Sequence, residues 1–209
     1  MKLANNANPY ADYDGKLLRE FLAGHTPRRE PGELYEYSNL AVGLLGYALA
    51  QKAGMGYEAL LKKRVLDPPG MTSTSITLSA DQKKRLAPGH DPGLRAVKNW
   101  DFLDATAGAG ALRSTANDML KFLAAAAGWT DTPLKAAFAR MRSVSKATPA
   151  PDLSIQMGWH VWKKYGSEIV WHNDWGTAAD YSVPASESYV DDAGSAFNSD
   201  MGTGVGDEF

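Results

Sequence analysis

The segment from Ser38 to Ala53 constrains the fold more than any other part of the sequence, because apolar residues and glycines fill it almost without interruption. Its spacing predicts a helix that is buried on most of its surface, with Ser38 or Asn39 as the N-terminal cap. Such a helix needs other elements packed on several of its sides. A chain of 209 residues with 44% apolar residues can supply them within one domain.

Shorter elements are predicted around this helix from the spacing of apolar residues and from the prolines and glycines that end each segment. Residues 71–112 are expected to form mostly loops. Asp118 is expected to accept amide hydrogen bonds within the first turn of its own helix, and Pro133 is expected to lie at the start of the next helix. Helices are predicted for residues 14–23, 57–66 and 132–141, and a further helix, capped by Ser114 or Thr115, is predicted to run through Ala127. A β-hairpin is predicted for residues 156–163 and 168–173.

The composition excludes several classes of protein. No cysteine is present, so any metal must be bound by His, Asp or Glu. No apolar run reaches the length of a membrane-spanning helix, and residues 1–9 lack the pattern of a secretory signal, so we expect a soluble protein and no membrane partner. The basic residues are scattered rather than clustered, which does not indicate binding to nucleic acid.

Charge divides the chain into two parts. Residues 178–209 contain seven acidic residues and no lysine or arginine, whereas residues 1–177 contain 17 acids and 22 bases. The periodicity of apolar residues also ends after Thr177, where the chain becomes rich in Gly, Ser and Asp. We therefore predict one domain over residues 1–177 and an acidic, mostly flexible tail over residues 178–209.

Three blocks of sequence follow one another in the order PGELYEYSNLAVGLLGYALAQKAG, YEALLKKRVLDPPGMTSTSI and AGAGALRSTANDMLKFL. In this order they resemble the group of class C β-lactamases, penicillin-binding proteins and family VIII esterases. The resemblance is strong over residues 31–123 and weak over residues 10–177. It implies an α+β fold, made mainly of the helical part of the β-lactamase-like fold and of a β-hairpin that is a remnant of its antiparallel sheet.

The resemblance also implies one element of an active site. Tyr37-Ser38-Asn39 matches the family's Tyr-x-Asn motif, in which the tyrosine is a proton acceptor and the asparagine amide lies beside the substrate. A phenol in that role needs a depressed pKa, which a neighbouring lysine normally supplies. Tyr37 and Asn39 are therefore candidate catalytic residues, and a helix-entry turn is the alternative interpretation.

A second element of the site is implied near the end of the resemblance. The run IVWHNDWGT resembles the His-x-Gly strand of the esterase branch, which makes His172 a candidate catalytic residue. Asp174 and Trp175 stand where the family has glycines, and the sequence beyond them no longer resembles the family. An altered reading frame or a fusion near Asn173 would explain this change, and translation of the other frames of the encoding DNA tests it.

The family's nucleophile is the serine of a Ser-x-x-Lys motif upstream of Tyr-x-Asn, where the lysine acts as the adjacent base. Residues 1–36 contain no serine, and the one Ser-x-x-Lys of the sequence, from Ser143 to Lys146, lies downstream of Tyr37. The numbers of serines and lysines give about one such match by chance. Catalysis through an acyl-serine is therefore not expected.

Two histidines of the predicted hairpin could bind a metal. If the hairpin is centred on Gly166, His160 lies opposite His172, and Asp174 shares a face with His172, so the three side chains could hold zinc or another divalent ion. A centre shifted by half a residue places Trp159 opposite His172 and removes this site. The sequence does not fix the register, and histidines without any ligand are the alternative interpretation.

Two functions follow as hypotheses. The first is a hydrolase of small activated esters or phosphoesters that works without the family's serine. Zinc could assist this hydrolase, since bound zinc lowers the pKa of water. The second is an inactive fragment that associates with itself or with a partner. The resemblance implies that an upstream helix and terminal strands are missing, which would expose apolar surface and favour a homo-oligomer.

Overall fold

The computed structural model describes residue 8 and residues 10–90, 95–164, 167–172 and 195–197. Helices and strands both occur, which confirms the α+β prediction. The helices are α1 (Gly15–Ala23), α2 (Asn39–Ala53), α3 (Tyr57–Leu61), α4 (Ala80–Arg85), α5 (Ala116–Ala126) and α6 (Lys135–Ser143), with a π-helical turn at Lys62–Leu66 and a 3-10 turn at Ala107–Ala109. The strands are β1 (Gly89–His90), β2 (Ala96–Val97), β3 (Lys146–Ala147), β4 (Leu153–Ile155), β5 (His160–Lys164), β6 (Ser167–His172) and β7 (Ser195–Phe197).

Side-chain caps fix the starts of three helices, and those of α2 and α5 lie at residues that the sequence offers as caps. Asp14 accepts hydrogen bonds from the backbone amides of Lys16 and Leu17 at the start of α1. Ser38 accepts one from Ala41 at the start of α2, and Thr115 caps α5 in the same way. Each cap satisfies backbone donors that the first turn of a helix leaves without a partner.

Three local predictions differ from the structure. The predicted helix over residues 57–66 continues beyond α3 as a π-helical turn, in which the amide of Asp67 donates to the carbonyl of Lys62. Helix α6 begins at Lys135, two residues after Pro133. Helix α4 lies in the region expected to form loops. The capping box of Ser79 and Gln82 starts this helix, and its polar sequence lacks the apolar periodicity from which helices are predicted.

The main sheet has the order β3-β4-β5-β6-β7. Its first four strands pair antiparallel, and β7 pairs parallel with β6, so this part of the predicted flexible tail is paired with the sheet. The rest of residues 178–209, and the boundary at 177, lie outside the described residues. Strands β1 and β2 form a separate two-stranded pair.

The hairpin register is the second of the two alternatives. His160 pairs with Trp171, so the hairpin is centred half a residue before Gly166. Direct pairing of His160 with His172 is therefore excluded. A single half-residue shift decides this, because it moves every cross-strand pair along the ladder.

Two clusters of buried side chains form the core. One lies between the sheet and helices α5 and α6, and the other lies between α1, α2 and the loop before the 3-10 turn. The first contains Leu123, Trp159, Val161 and Val170, with Phe122, Ala126 and Met141 packed against it. The second contains Tyr13, Leu18 and Ala105, with Phe21, Leu40, Leu44 and Tyr47 packed against it.

Helix α2 is buried through its small residues rather than its large ones, which corrects the expectation that most of its surface is covered. Gly43 and Gly46 face the 3-10 turn, and a Cβ atom on Gly108 would lie 2.8 Å from the carbonyl oxygen of Val42. The opposite face of α2 is exposed. Backbone therefore contacts backbone at this junction, with no room for a side chain.

None of the helices in the part of the chain that the structure describes is long and apolar enough to cross a membrane.

Asp118 joins α5 to the loop that follows the π-helical turn. Its carboxylate accepts hydrogen bonds from the amide of Ser73, the hydroxyl of Thr74 and the ammonium of Lys121, and its side chain is 2% exposed. The prediction that it accepts amides of its own first turn is wrong, because its carboxylate oxygens are turned to the loop and to Lys121 instead. Burial by itself raises the pKa of Asp118, but these hydrogen bonds outweigh it and hold the pKa below its usual value.

We expect Gly108→Ala to destabilise the protein by about 1–3 kcal/mol, because the new methyl group must push apart two backbone segments. Urea unfolding measures the change. Gly24→Ala is the control, since the nearest atoms to its Cβ lie at an ordinary 3.9 Å. A Gly108→Ala protein as stable as the control would contradict the close approach.

We expect Asp118→Asn to lower the free energy of unfolding by about 2–3 kcal/mol at pH 7, because the charge-assisted hydrogen bonds are lost. The pKa of this carboxyl is lower in the folded state than in the unfolded chain. Its contribution is therefore complete above the unfolded value of about 3.9 and is lost as the pH falls through the folded pKa. Urea unfolding at a series of pH values should show the two proteins converging in acid, and a constant difference would contradict this account.

Candidate functional site

The Tyr-x-Asn segment lies at the entrance to α2. Ser38 is extended and caps the helix, Asn39 is its first residue, and Tyr37 precedes them with its side chain 57% exposed. The side-chain amide of Asn39 donates to the hydroxyl of Tyr10 at 3.1 Å. The cap therefore fixes the backbone at the motif, while the side chain of Tyr37 is more than half exposed.

Tyr35 connects this segment to the sheet. Its hydroxyl oxygen lies 3.3 Å from Nε2 of His160 at the start of β5, and the two rings are nearly perpendicular, at 87°. These residues are 125 positions apart in the chain. The segment that carries Tyr37 is thus held against the strand that carries the predicted metal-binding histidine.

His160 and His172 lie side by side in spite of the register. Their ring centroids are 5.6 Å apart, with 26° between the ring planes. The ring of Trp171 also stacks on His160, with the centroids 4.5 Å apart. The expectation that this register separates the two imidazoles is therefore wrong. His172 is the last residue of β6 and lies one position beyond the residue that pairs with His160, so regular alternation along the strands does not by itself account for this contact.

Burial keeps both imidazoles neutral. Burial, together with the charge that His172 carries when protonated, lowers the pKa of His160 from its usual value to about 4. Burial also lowers the pKa of His172, although a hydrogen bond to the backbone carbonyl of Gly158 partly opposes the shift. Neutral imidazole is the form that accepts protons and binds metals, so both side chains are in the reactive state at pH 7.

Several polar atoms at this end of the sheet are buried without a hydrogen-bond partner among the described residues. They include Nδ1 of His160, Nδ1 of His172 and Oε1 of Gln156. His160 is 8% exposed as a whole residue. A buried polar atom without a partner costs about 1–3 kcal/mol, a cost that a bound ligand could offset.

The predicted metal ligands are only partly described. His160 and His172 are adjacent, whereas Asp174 lies outside the described residues. Within residues that the structure does describe, no group of three His, Asp or Glu side chains comes together as a metal site. The set of His160, His172 and Asp174 therefore stays a prediction.

The single Ser-x-x-Lys of the sequence does not form the family's nucleophile geometry. Helix α6 ends at Ser143, and Lys146 lies beyond it in β3, so the two side chains do not occupy one helical turn. The hydroxyl of Ser143 donates to the carbonyl of Arg140 at 2.9 Å in an exposed position.

Tyr35 and Gln156 were missed by sequence reasoning. Tyr35 offered one signal, because residues two apart in an extended segment face the same side, and Tyr35 precedes the motif tyrosine by two positions. Gln156, whose Oε1 is buried without a partner among the described residues, offered none, since its burial depends on the chain path between β4 and β5.

Comparison with known proteins agrees with this geometry. Residues 2–186 match the family model described as Beta-lactamase. The D-alanyl-D-alanine-carboxypeptidase/endopeptidase AmpH of Escherichia coli K12 is 33% identical over 104 residues, which cover 50% of this chain and 26% of AmpH. A beta-lactamase of Yersinia enterocolitica is 26% identical over 152 residues, covering 71% of this chain and 39% of that protein.

Solved structures give the same result. D-alanine carboxypeptidase AmpC from Burkholderia cenocepacia superposes with a TM-score of 0.65 at 27% identity, covering 75% of this chain and 44% of that one. A class C beta-lactamase from Rhodobacter sphaeroides gives a TM-score of 0.61 at 27% identity, with 72% and 42% covered. The chain spans less than half the length of these proteins. Its fold and its sequence together show that this chain belongs to the β-lactamase family of hydrolases.

Proposed function

We propose that this chain hydrolyses small activated esters or phosphoesters where the Tyr-x-Asn segment meets the β5–β6 hairpin, and that it activates water rather than forming an acyl-serine. The observation that carries the proposal is the pair of neutral imidazoles, His160 and His172. Their Nδ1 atoms are buried and have no partner among the described residues. Two free electron pairs on neighbouring imidazoles are suited to proton transfer or to metal binding.

Tyr37, Asn39 and His172 have separate roles in this proposal. Tyr37 is exposed and can donate a hydrogen bond to the oxygen of a leaving group, while Asn39 holds the start of α2 beside it. Nδ1 of His172 can take the proton of a water that attacks the carbonyl or phosphoryl centre. Activated substrates fit such a site because a good leaving group needs little further help.

The imidazole pair can serve in a second way. His160 and His172, with Asp174 as the predicted third ligand, would hold zinc or another divalent ion. A metal of this kind lowers the pKa of a bound water and so supplies a nucleophile at neutral pH. In that form the two imidazoles would hold the metal, and His172 would not be the proton acceptor.

We expect the purified protein to hydrolyse para-nitrophenyl acetate or diethyl para-nitrophenyl phosphate. His172→Ala should lower kcat/KM by about 100-fold or more, and Tyr37→Phe should lower it to a smaller extent, because each removes a group that acts on the reacting atoms. His25→Ala is the matched control, since this histidine lies in an exposed loop and stacks on Phe21 instead. Release of nitrophenol measures all four proteins.

Elemental analysis before and after chelation separates the two forms of the site. If a metal is used, the protein should contain it in stoichiometric amount, lose activity with the chelator and regain it with zinc. Activity that survives chelation and both substitutions would refute the proposal. A fluorophosphonate adduct on any serine would refute the water mechanism.

The exposed face of α2 favours a second candidate, a non-catalytic protein that associates with a second copy. Val42, Leu45 and Leu49 recur at helical spacing and are about half exposed, and no charged residue interrupts α2 before Lys52. An uncharged apolar stripe can pack against its own copy without repulsion between like charges.

We expect sedimentation to show an oligomer that Leu45→Glu dissociates, because the substitution places a charge in the apolar contact. Lys52→Glu is the control at the end of the same helix. A strictly monomeric wild-type protein would contradict self-association. A homogeneous oligomer with no metal and no turnover would favour the non-catalytic candidate over the hydrolase.

A further inference from the structure

Each imidazole of the pair uses one ring nitrogen and leaves the other without a partner among the described residues. Nε2 of His160 meets the hydroxyl of Tyr35 at 3.3 Å, and His172 bonds the backbone carbonyl of Gly158. The Nδ1 atoms of both rings are buried and unpartnered. The same nitrogen is therefore left available on both residues.

The protonation of His172 follows from its partner. A carbonyl oxygen can only accept a hydrogen bond, so the nitrogen of His172 that faces Gly158 must carry the proton. This nitrogen is Nε2, because Nδ1 has no partner. A neutral imidazole has one N–H, and Nδ1 of His172 therefore presents a free electron pair.

The protonation of His160 depends on Tyr35, whose hydroxyl can either donate or accept. If the hydroxyl donates to Nε2, then Nδ1 of His160 becomes a buried N–H donor without an acceptor, which is the rarer kind of unsatisfied group. If Nε2 donates to Tyr35, the hydroxyl proton can turn toward solvent, since this hydrogen bond is only partly buried. The Nε2–H form is also the intrinsically favoured tautomer of neutral histidine.

We propose that Tyr35 is a positioning residue that accepts a hydrogen bond from Nε2–H of His160 and so holds Nδ1 as a free electron pair, as Gly158 does for His172. The inference rests on the proposed function for its purpose, because both a proton acceptor and a metal ligand need that electron pair. Partners of this kind fix the tautomer of histidines in metal sites. Tyr35 thus acts on the reaction through His160 and does not contact the substrate.

The test is the histidine tautomer, read from nitrogen chemical shifts in protein labelled with ¹⁵N-histidine and free of added metal. Wild-type protein should show His160 and His172 both protonated at Nε2 alone. Tyr35→Phe should turn the His160 signals into those of mixed tautomers and leave His172 unchanged, since its partner is Gly158. Signals are assigned with His160→Gln and His172→Gln.

Tyr47→Phe is the matched control, because it removes a phenol that bonds Arg19 instead. It should change neither histidine. As a second readout, zinc chloride alone is titrated against a competing chelator, and Tyr35→Phe should weaken binding by about 10–100-fold.

Two results would overturn the inference. One is a wild-type His160 that carries its proton on Nδ1, a result that needs no variant and so does not depend on the folding of Tyr35→Phe. The other is a folded Tyr35→Phe protein with the wild-type tautomer. Absence of turnover with the expected tautomers would instead refute the proposed function and leave the role of Tyr35 intact.

Discussion

The close approach of α2 to the 3-10 turn is the constraint on which the rest of the site depends. Glycines on both partners let the two backbones meet, with Gly43 and Gly46 on one side and Gly108 on the other. This contact fixes where α2 lies, and the Ser38 cap then fixes where it begins. The position of α2 therefore determines where the segment with Tyr35 and Tyr37 enters the helix.

The same contact explains the uneven burial of α2. Glycines and an alanine take the face that meets the 3-10 turn, so Leu45 and Leu49 point outward, and Leu45 is 58% exposed. Large residues on the inner face would hold the 3-10 turn further away and would move the entrance of the helix away from the sheet. The exposed stripe is thus a consequence of the arrangement that brings the tyrosine segment close to β5.

Desolvation gives the histidine pair its chemical character. Burial disfavours the charged form of each imidazole and lowers the pKa of both, so the pair remains neutral and offers electron pairs rather than protons. The cost of this arrangement is visible in the buried nitrogen atoms that lack partners among the described residues. Tertiary packing, through Trp171 on one side and Tyr35 on another, holds His160 in this unfavourable place.

Local interactions made much of the fold predictable. The caps of α2 and α5 and the existence of the hairpin depend on residues a few positions apart, and the sequence predicts them. The resemblance carried by Tyr37 and its flanking blocks likewise identified the family. Helix α4 was not predicted, because a short polar helix has no periodic apolar residues.

The sequence by itself determined the family, the α+β class and the residue types available for chemistry. Only the tertiary structure decided which of those residues meet. The hairpin register differs between its two alternatives by half a residue, and both satisfy the alternation of the strands. The contact between Tyr35 and His160 joins positions 125 residues apart, and its existence depends on the packing of α2, which no local pattern near either residue records.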